Sequence, residues 1–335
     1  MRPATTGPLL TGLILIYSAG DVPDPAPPAD RVDRPVEFLT DPTTWWIEPF
    51  TSDGSMRNAL LTALLAVVST SVVGTWVVLR GMSFLGDALA HGVMPGVAVA
   101  FILGVDTHLG ALVAALAMVV GINLVRSCSP LPEDTSIGIL FVGFLALALV
   151  IMSGRGEDHD HLHHLSRFLF GSITEVDGND LRRQAVVAVI TVGGAFVLHR
   201  PFLVMTFDES QARLLGLRPR LAHAALLALL AFSIVASFQA VGNLLVFAFL
   251  VGPPATATLL VRRVPVIMTT GVALGTFSAV VGLLIGHHHN TAAGATMALS
   301  AVVVFLLVLM AISARRAISG KRVGRPRLAE PSLSR

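Results

Sequence analysis

Long stretches free of Asp, Glu, Lys and Arg recur along this chain, separated by short polar breaks. Residues 58–79, 88–105, 107–125, 135–154, 184–199, 221–261, 264–286 and 291–314 follow this pattern. A helix needs about 20 mainly apolar residues to cross the hydrocarbon core of a bilayer, so most of these stretches suffice and 184–199 is short. The stretch 221–261 is too long. As one helix it would run roughly 60 Å, about twice the core thickness. It must fold back, and the polar run at 239–243 (QAVGN) is the natural turn. The pattern predicts an all-α polytopic transmembrane bundle of nine spans. Eight is the rival count, because the break at Asp106 is a single residue and the second stretch, which carries His91 and Pro95, could be tilted, broken or incompletely crossing.

Composition strengthens that reading. The 335 residues are 54% hydrophobic and 13% charged, with a mean hydropathy of +0.76. Soluble domains carry about 25% charged residues, so this chain lacks the charge to cover a water-facing surface and is not a candidate for nucleic-acid binding. The single cysteine, Cys128, excludes an intramolecular disulfide framework and a multi-cysteine metal site. The single lysine, Lys321, is followed by Arg322, so a phosphate loop of the form GxxxxGK[ST] is impossible. If the chain takes part in ATP-driven work, another chain hydrolyses the ATP.

With nine crossings, placing Arg80, Arg126, the 200–220 loop, Arg262, Arg263 and the C-terminal tail on one side gathers most of the 23 basic residues there. That side is cytoplasmic by the positive-inside rule. The C-terminus is then cytoplasmic and the acidic residues gather mainly outside, where they raise the local cation concentration. The chain divides into an N-terminal extension (1–55), a membrane domain (56–316) with an outward loop at 155–183, and a basic tail (317–335). Within the extension, 8–17 reads as the apolar core of a signal peptide ending near Ala19 or as an upstream artefactual start, and 21–42 as a Pro/Asp-rich linker. Trp45 and Trp46 suit either an interfacial belt or ordinary packing.

Candidate chemistry falls in four places. The run EDHDHLHH at 157–164 holds His159, His161, His163 and His164, and a second run holds His287, His288 and His289, on the same predicted outer face. Imidazoles with carboxylates suit divalent metals, zinc in particular, although each run also fits a solvated loop. Inside the membrane, Asp87 and His91 are four residues apart and share a helix face. Pro95 cannot donate to the carbonyl of His91. These groups fit a transient cation site, or a helix-start Asp beside a buried His. Gly86, Gly92 and Gly96 would let other helices approach closely. Gln239 and Asn243 line a pathway or hydrogen-bond between helices. Pro253 and Pro254 free the carbonyls of Phe249 and Leu250, as a hinge or a helix stop. His108 and His223 read as structural. Residues 207–217 (FDESQARLLGL) predict a short helix with Asp208 at its start, Leu214 and Leu215 on an apolar face and Gly216 at its end, suited to a partner's groove or to a lipid surface.

The stretch RGMSFLGDALAHGVMPGVAVAF from Arg80 resembles the GDAxSHAxxPG-like signature of the membrane permeases of ABC importers for zinc, manganese and iron, the ABC-3 family. Ala90 stands where that family usually has Ser. Further matches follow in order: EDTSIGILFVG from Glu133, FLFGSI from Phe168, FDESQARLLGL from Phe207, SFQAVGNLLVFAFLVGPPATATLL from Ser237 and GATMALSAVVVF from Gly294. The likeness covers about residues 50–316 and excludes the EDHDHLHH run. It implies a non-catalytic permease subunit in the cell membrane of a prokaryote, working as a homodimer with cytoplasmic ATPase subunits and an extracytoplasmic metal-binding protein. No cofactor is bound permanently, and the transported ion is a divalent metal, zinc favoured and manganese or iron next. Asp87 and His91 would contact the metal. Asp208, Glu209, Ala212, Leu214 and Gly216 would lie on the coupling helix that meets the ATPase. The rival is a secondary transporter or channel working without an ATPase. A second rival, an intramembrane metalloprotease, is disfavoured: the sequence lacks any HExxH, and no charged residue within the spans supplies a general base beside two histidines.

Overall fold

The computed structural model describes residues 46, 48–52, 54–129, 132–153, 178–214, 216, 218–289 and 291–318. The apolar segment 8–17, the linker 21–42, Trp45, the histidine-rich run 157–164 and the tail from 319 lie outside the described residues. The chain divides into two compact units, Met1–Glu48 and Pro49–Arg335, and among the described residues every helix able to span a membrane belongs to the second.

Every regular element among the described residues is an α-helix. A short α1 (Glu48–Ser52) precedes α2 (Gly54–Leu79), α3 (Ser83–Gly92), α4 (Met94–Leu103), α5 (Thr107–Cys128) and α6 (Glu133–Ser153). Then come α7 (Gly178–Val197), α8 (His199–Phe207), the short α9 (Glu209–Leu214), α10 (Pro219–Val241), α11 (Asn243–Leu260), α12 (Val264–His288) and α13 (Ala293–Ile318). Among the described residues eight spans are long and apolar enough to cross a bilayer, with α3 and α4 together forming one of them, Ser83–Leu103. The count reaches nine if α7 and α8, bent by 62°, act as a single span. The short stretch at 184–199 is the source of that ambiguity, because the helix containing it begins among polar residues and continues only through the bend.

The breaks have local causes. The Asp106 carboxylate accepts the His108 N–H at 2.8 Å and so caps the first turn of α5, which lets one residue separate two helices. Gly242 has φ 86° and ψ 154°, a conformation that residues with a Cβ rarely adopt; it ends α10 and starts α11 inside the expected 239–243 turn. Between α3 and α4 the chain breaks at Val93, and Pro95 sits in the first turn of α4, where a missing N–H breaks no helical bond. The His91 carbonyl is not left free as the sequence suggested: it takes the N–H of Val93.

At the centre stands α2, packed against α7, α10, α11 and α12. Of its most apolar window 72% is buried, against 17% for α6 and 22% for α13, so α2 is a core helix and the other two are largely exposed at the outside of the bundle. Lipid tails are as apolar as leucine, so association rests on close packing and hydrogen bonds rather than on hydrophobic burial. Small residues provide the close packing. Gly96 of α4 and Gly110 of α5 each lie against the other's carbonyl, where a Cβ would clash with backbone. Gly86 packs on the side chain of Leu250, and Gly92 on Met118. Buried Trp76 meets His199 and Phe202 edge-on, with ring centroids 5.4 and 5.7 Å apart, and ties α2 to α8.

Pro253 and Pro254 do not stop a helix. They lie inside α11, which continues to Leu260. The carbonyls of Phe249 and Leu250 lose their partners to these prolines, and α2 receives both. The Ser71 hydroxyl donates to the Phe249 carbonyl at 3.2 Å. Three residues on, Gly74 leaves room for the Leu250 carbonyl, which a Cβ at that position would overlap.

Candidate functional site

Asp87 and His91 lie one turn apart on α3, which packs against α6 and α10 and, more sparsely, against α11. His91 Nε2 is 3.6 Å from Asp87 Oδ1. Both side chains remain partly open, 23% for His91 and 35% for Asp87. The ring of His91 packs edge-on against Phe141 of α6 at 5.9 Å, and Phe141 meets Phe84 in the same way at 5.7 Å. These contacts hold the imidazole plane while its Nε2 faces the carboxylate.

The third residue comes from 152 positions further along the chain. Asn243, the first residue of α11, places its Nδ2 3.3 Å from His91 Nε2. It is only 5% exposed, and its Oδ1 has no hydrogen-bond partner among the described residues. Sequence spacing offered no route to this meeting, because it depends on the fold-back at Gly242. Two ligands each about 2.1 Å from one metal ion stand roughly 3.0 to 3.4 Å apart in octahedral or tetrahedral geometry. The Asp87 carboxylate at 3.6 Å and the Asn243 amide at 3.3 Å thus each stand about that far from His91 Nε2.

Other sequence candidates fall elsewhere. Gln239 is on the last turn of α10, and its side chain lies outside the described residues. Pro253 and Pro254 are buried beside Gly271 and Gly275 of α12. His287, His288 and His289 are exposed at the end of α12, with the rings of the first two 5.5 Å apart. Among the described residues no three His, Cys, Asp or Glu side chains gather around a common metal position, so this run forms no closed site by itself. His159, His161, His163 and His164 lie outside the described residues. Sequence reading missed Ser71, whose signal is a Ser on a span with two prolines elsewhere. It also missed Gln184 of α7, fully buried, whose Nε2 donates to Ser237 of α10 at 2.9 Å.

The short loop helix α9 spans Glu209–Leu214, narrower than the expected 207–217. Asp208 caps it, accepting the Ser210 N–H at 2.9 Å. Ala212 is buried on the inner face, toward α8 and α10, while Leu214 is 87% exposed and Phe207 68%. Gly216 follows with φ +72° and open space around it, the left-handed turn that ends a helix. Glu209 opens α9, and Leu215 lies outside the described residues.

The sequence profile of the ABC 3 transport family matches residues 52–312. The chain belongs to the ABC 3 transport family. A relative in that family, the manganese transport system membrane protein MntC of Listeria innocua, is 33% identical over 265 residues, covering 79% of this chain and 93% of MntC. The chelated iron transport system membrane protein YfeD of Yersinia pestis is 32% identical over 255 residues, covering 76% of this chain and 84% of YfeD. Among solved structures, PsaBC from Streptococcus pneumoniae in complex with Fab superposes with a TM-score of 0.69 at 33% identity, over 79% of this chain and 94% of that one. The family assignment and the span count agree on a multi-pass membrane protein. The α3–α4 break and the bent α7–α8 pair fall within the matched region.

Proposed function

We propose that the chain is the membrane-spanning subunit of an ATP-driven importer of divalent first-row metal ions, with Asp87 and His91 as the pair the ion meets in passage. The carrying observation is this carboxylate and imidazole, 3.6 Å apart and partly open, on a helix of a family whose named relatives move manganese and iron. An intramembrane carboxylate is costly unless it serves a purpose or sits near water. Imidazole with carboxylate accepts zinc, manganese and iron alike. The histidine-rich runs favour zinc, and the relatives' names favour manganese or iron.

The ion is substrate, held briefly rather than permanently. It would arrive from an extracytoplasmic binding protein at the acidic, histidine-rich outer face. A second copy of the chain would complete the passage between two permeases, and separate ATPase subunits in the cytoplasm would supply the energy, since this chain can hold no phosphate loop. The arginine distribution supports a cytoplasmic C-terminus and a cytoplasmic α9. There the exposed Leu214 and Phe207 offer an apolar face to an ATPase groove, and the buried Ala212 transmits its movement to α8 and α10.

The test is uptake by the complex of this chain with its ATPase in liposomes. Asp87→Ala and His91→Ala should each abolish metal uptake while the complex still assembles. Normal uptake in both variants would remove the pair from the pathway. Uptake by the chain without an ATPase would favour a secondary carrier or channel.

A further inference from the structure

The amide of Asn243 stands out among the buried polar groups. It is nineteen-twentieths buried, its nitrogen faces His91 Nε2 at 3.3 Å, and its oxygen is without a partner among the described residues. A buried amide oxygen left without a hydrogen bond costs about 1 to 3 kcal/mol. Gly242 fixes its position, since a φ of 86° with ψ 154° sets the first residue of α11 against α3. The site already described therefore has a third wall that neither the Asp–His spacing nor the signature around it includes.

From this geometry we infer that Asn243 is a specificity-determining ligand of the transported ion, its amide oxygen joining the Asp87 carboxylate and His91 Nε2 around one cation; the inference rests on the proposed role of that pair. Two features support it. First, with Nδ2 as donor His91 accepts at Nε2, and that lone pair then stands 3.6 Å from the Asp87 carboxylate, ready for a cation. Second, a half-turn of the amide exchanges its two ends and sets Oδ1 beside His91 Nε2, where it can face the ion. The amide thus positions the empty site through its nitrogen and completes the filled one through its oxygen.

The donor set then has two oxygens and one nitrogen. Carboxylate and carbonyl oxygens suit manganese, whereas imidazole suits zinc and iron. With Asn243 the site leans toward manganese, and without it the remaining carboxylate and imidazole discriminate less.

The experiment uses the full chain with its ATPase subunits in liposomes and measures competing uptake of Mn²⁺ and Zn²⁺. Asn243→Leu keeps the side-chain volume and removes both amide atoms. It should lower Mn²⁺ uptake roughly tenfold or more, the scale seen when groups around a metal site are lost, and lower Zn²⁺ uptake less, so the Mn²⁺ to Zn²⁺ ratio falls. Asn243→Asp retains the oxygen and should keep the wild-type preference for Mn²⁺. If the Leu variant fails to assemble, Asn243→Ser decides through the same ratio. An unchanged ratio in an assembled Leu or Ser variant overturns the inference. If uptake is also normal in Asp87→Ala and His91→Ala, the proposed pathway fails with it; if those two abolish uptake while the ratio holds, only the role of Asn243 is lost.

Discussion

The Ser71 hydroxyl of α2 donates to the carbonyl of Phe249 at 3.2 Å, and that carbonyl is the one Pro253 deprives of its helical partner. A proline pair in the middle of a membrane helix would otherwise leave unsatisfied backbone oxygen in an apolar interior. The helix that supplies the hydroxyl also supplies Gly74, whose bare backbone accommodates the next freed carbonyl, that of Leu250. One turn of α2 thus keeps α11 continuous through Pro253 and Pro254, and α11 carries Asn243 at its other end.

Ser71→Ala should therefore destabilise the detergent-solubilised protein by about 1 to 3 kcal/mol, the cost of orphaning a buried carbonyl. Pro253→Ala restores an N–H at the right position for the Phe249 carbonyl. In that background Ser71→Ala should cost much less. Thermal unfolding of the four proteins of this cycle measures the coupling, and additive effects would show that Ser71 and the freed carbonyl are independent.

Gly74→Val places a branched side chain where the Leu250 carbonyl lies, so α2 and α11 must part. Backbone cannot yield as a flexible side chain can. The expected result is a larger loss of stability than for Gly86→Val, where only the end of the Leu250 side chain is in the way. Comparing the yield of monodisperse protein for the two variants checks this order.

Gly216 adopts a left-handed conformation with nothing near it, so a substitution there acts through the backbone alone. An L-residue in that conformation costs about 1 to 2 kcal/mol, and Asn tolerates it best. Gly216→Val should loosen the end of α9 and uncouple ATP hydrolysis from uptake, while Gly216→Asn should leave coupling near normal. Simultaneous assays of phosphate release and metal uptake give the ratio. Equal coupling in both variants would place the ATPase contact elsewhere.

Removing residues 157–164 takes away four histidines and the acidic residues among them. Uptake should fall only when metal is scarce, because a His-rich run concentrates ions without forming the pathway. Uptake measured from nanomolar to micromolar metal distinguishes this from loss at every concentration, which would make the segment essential for folding or docking.

The spans were legible because charge is excluded from the bilayer core, and nearly every break could be read from a charged residue, a proline or a glycine. Length showed that the stretch 221–261 folds back and the polar run placed the turn at 239–243, and Gly242 supplies its cause. The bent pair of α7 and α8 was read as one short stretch, because Arg200 and Pro201 close the apolar run after the bend. Asp87 and His91 were visible since four-residue spacing is a local property of a helix. Asn243 was visible as a polar residue and invisible as their neighbour, because the contact spans 152 positions and depends on how α11 returns to α3. The same limit hid Ser71. Its partner carbonyl was identified from Pro253, but nothing in the sequence says which helix stands opposite.

The central claim is that a metal ion crosses by way of Asp87 and His91, driven by a separate ATPase. Proteoliposomes holding this chain with its ATPase subunits, loaded with ATP and a metal-sensitive dye, test it most directly. The account predicts divalent metal uptake that needs both ATP and the ATPase and disappears in Asp87→Ala. Uptake by the chain alone, or undiminished uptake in Asp87→Ala, would contradict it.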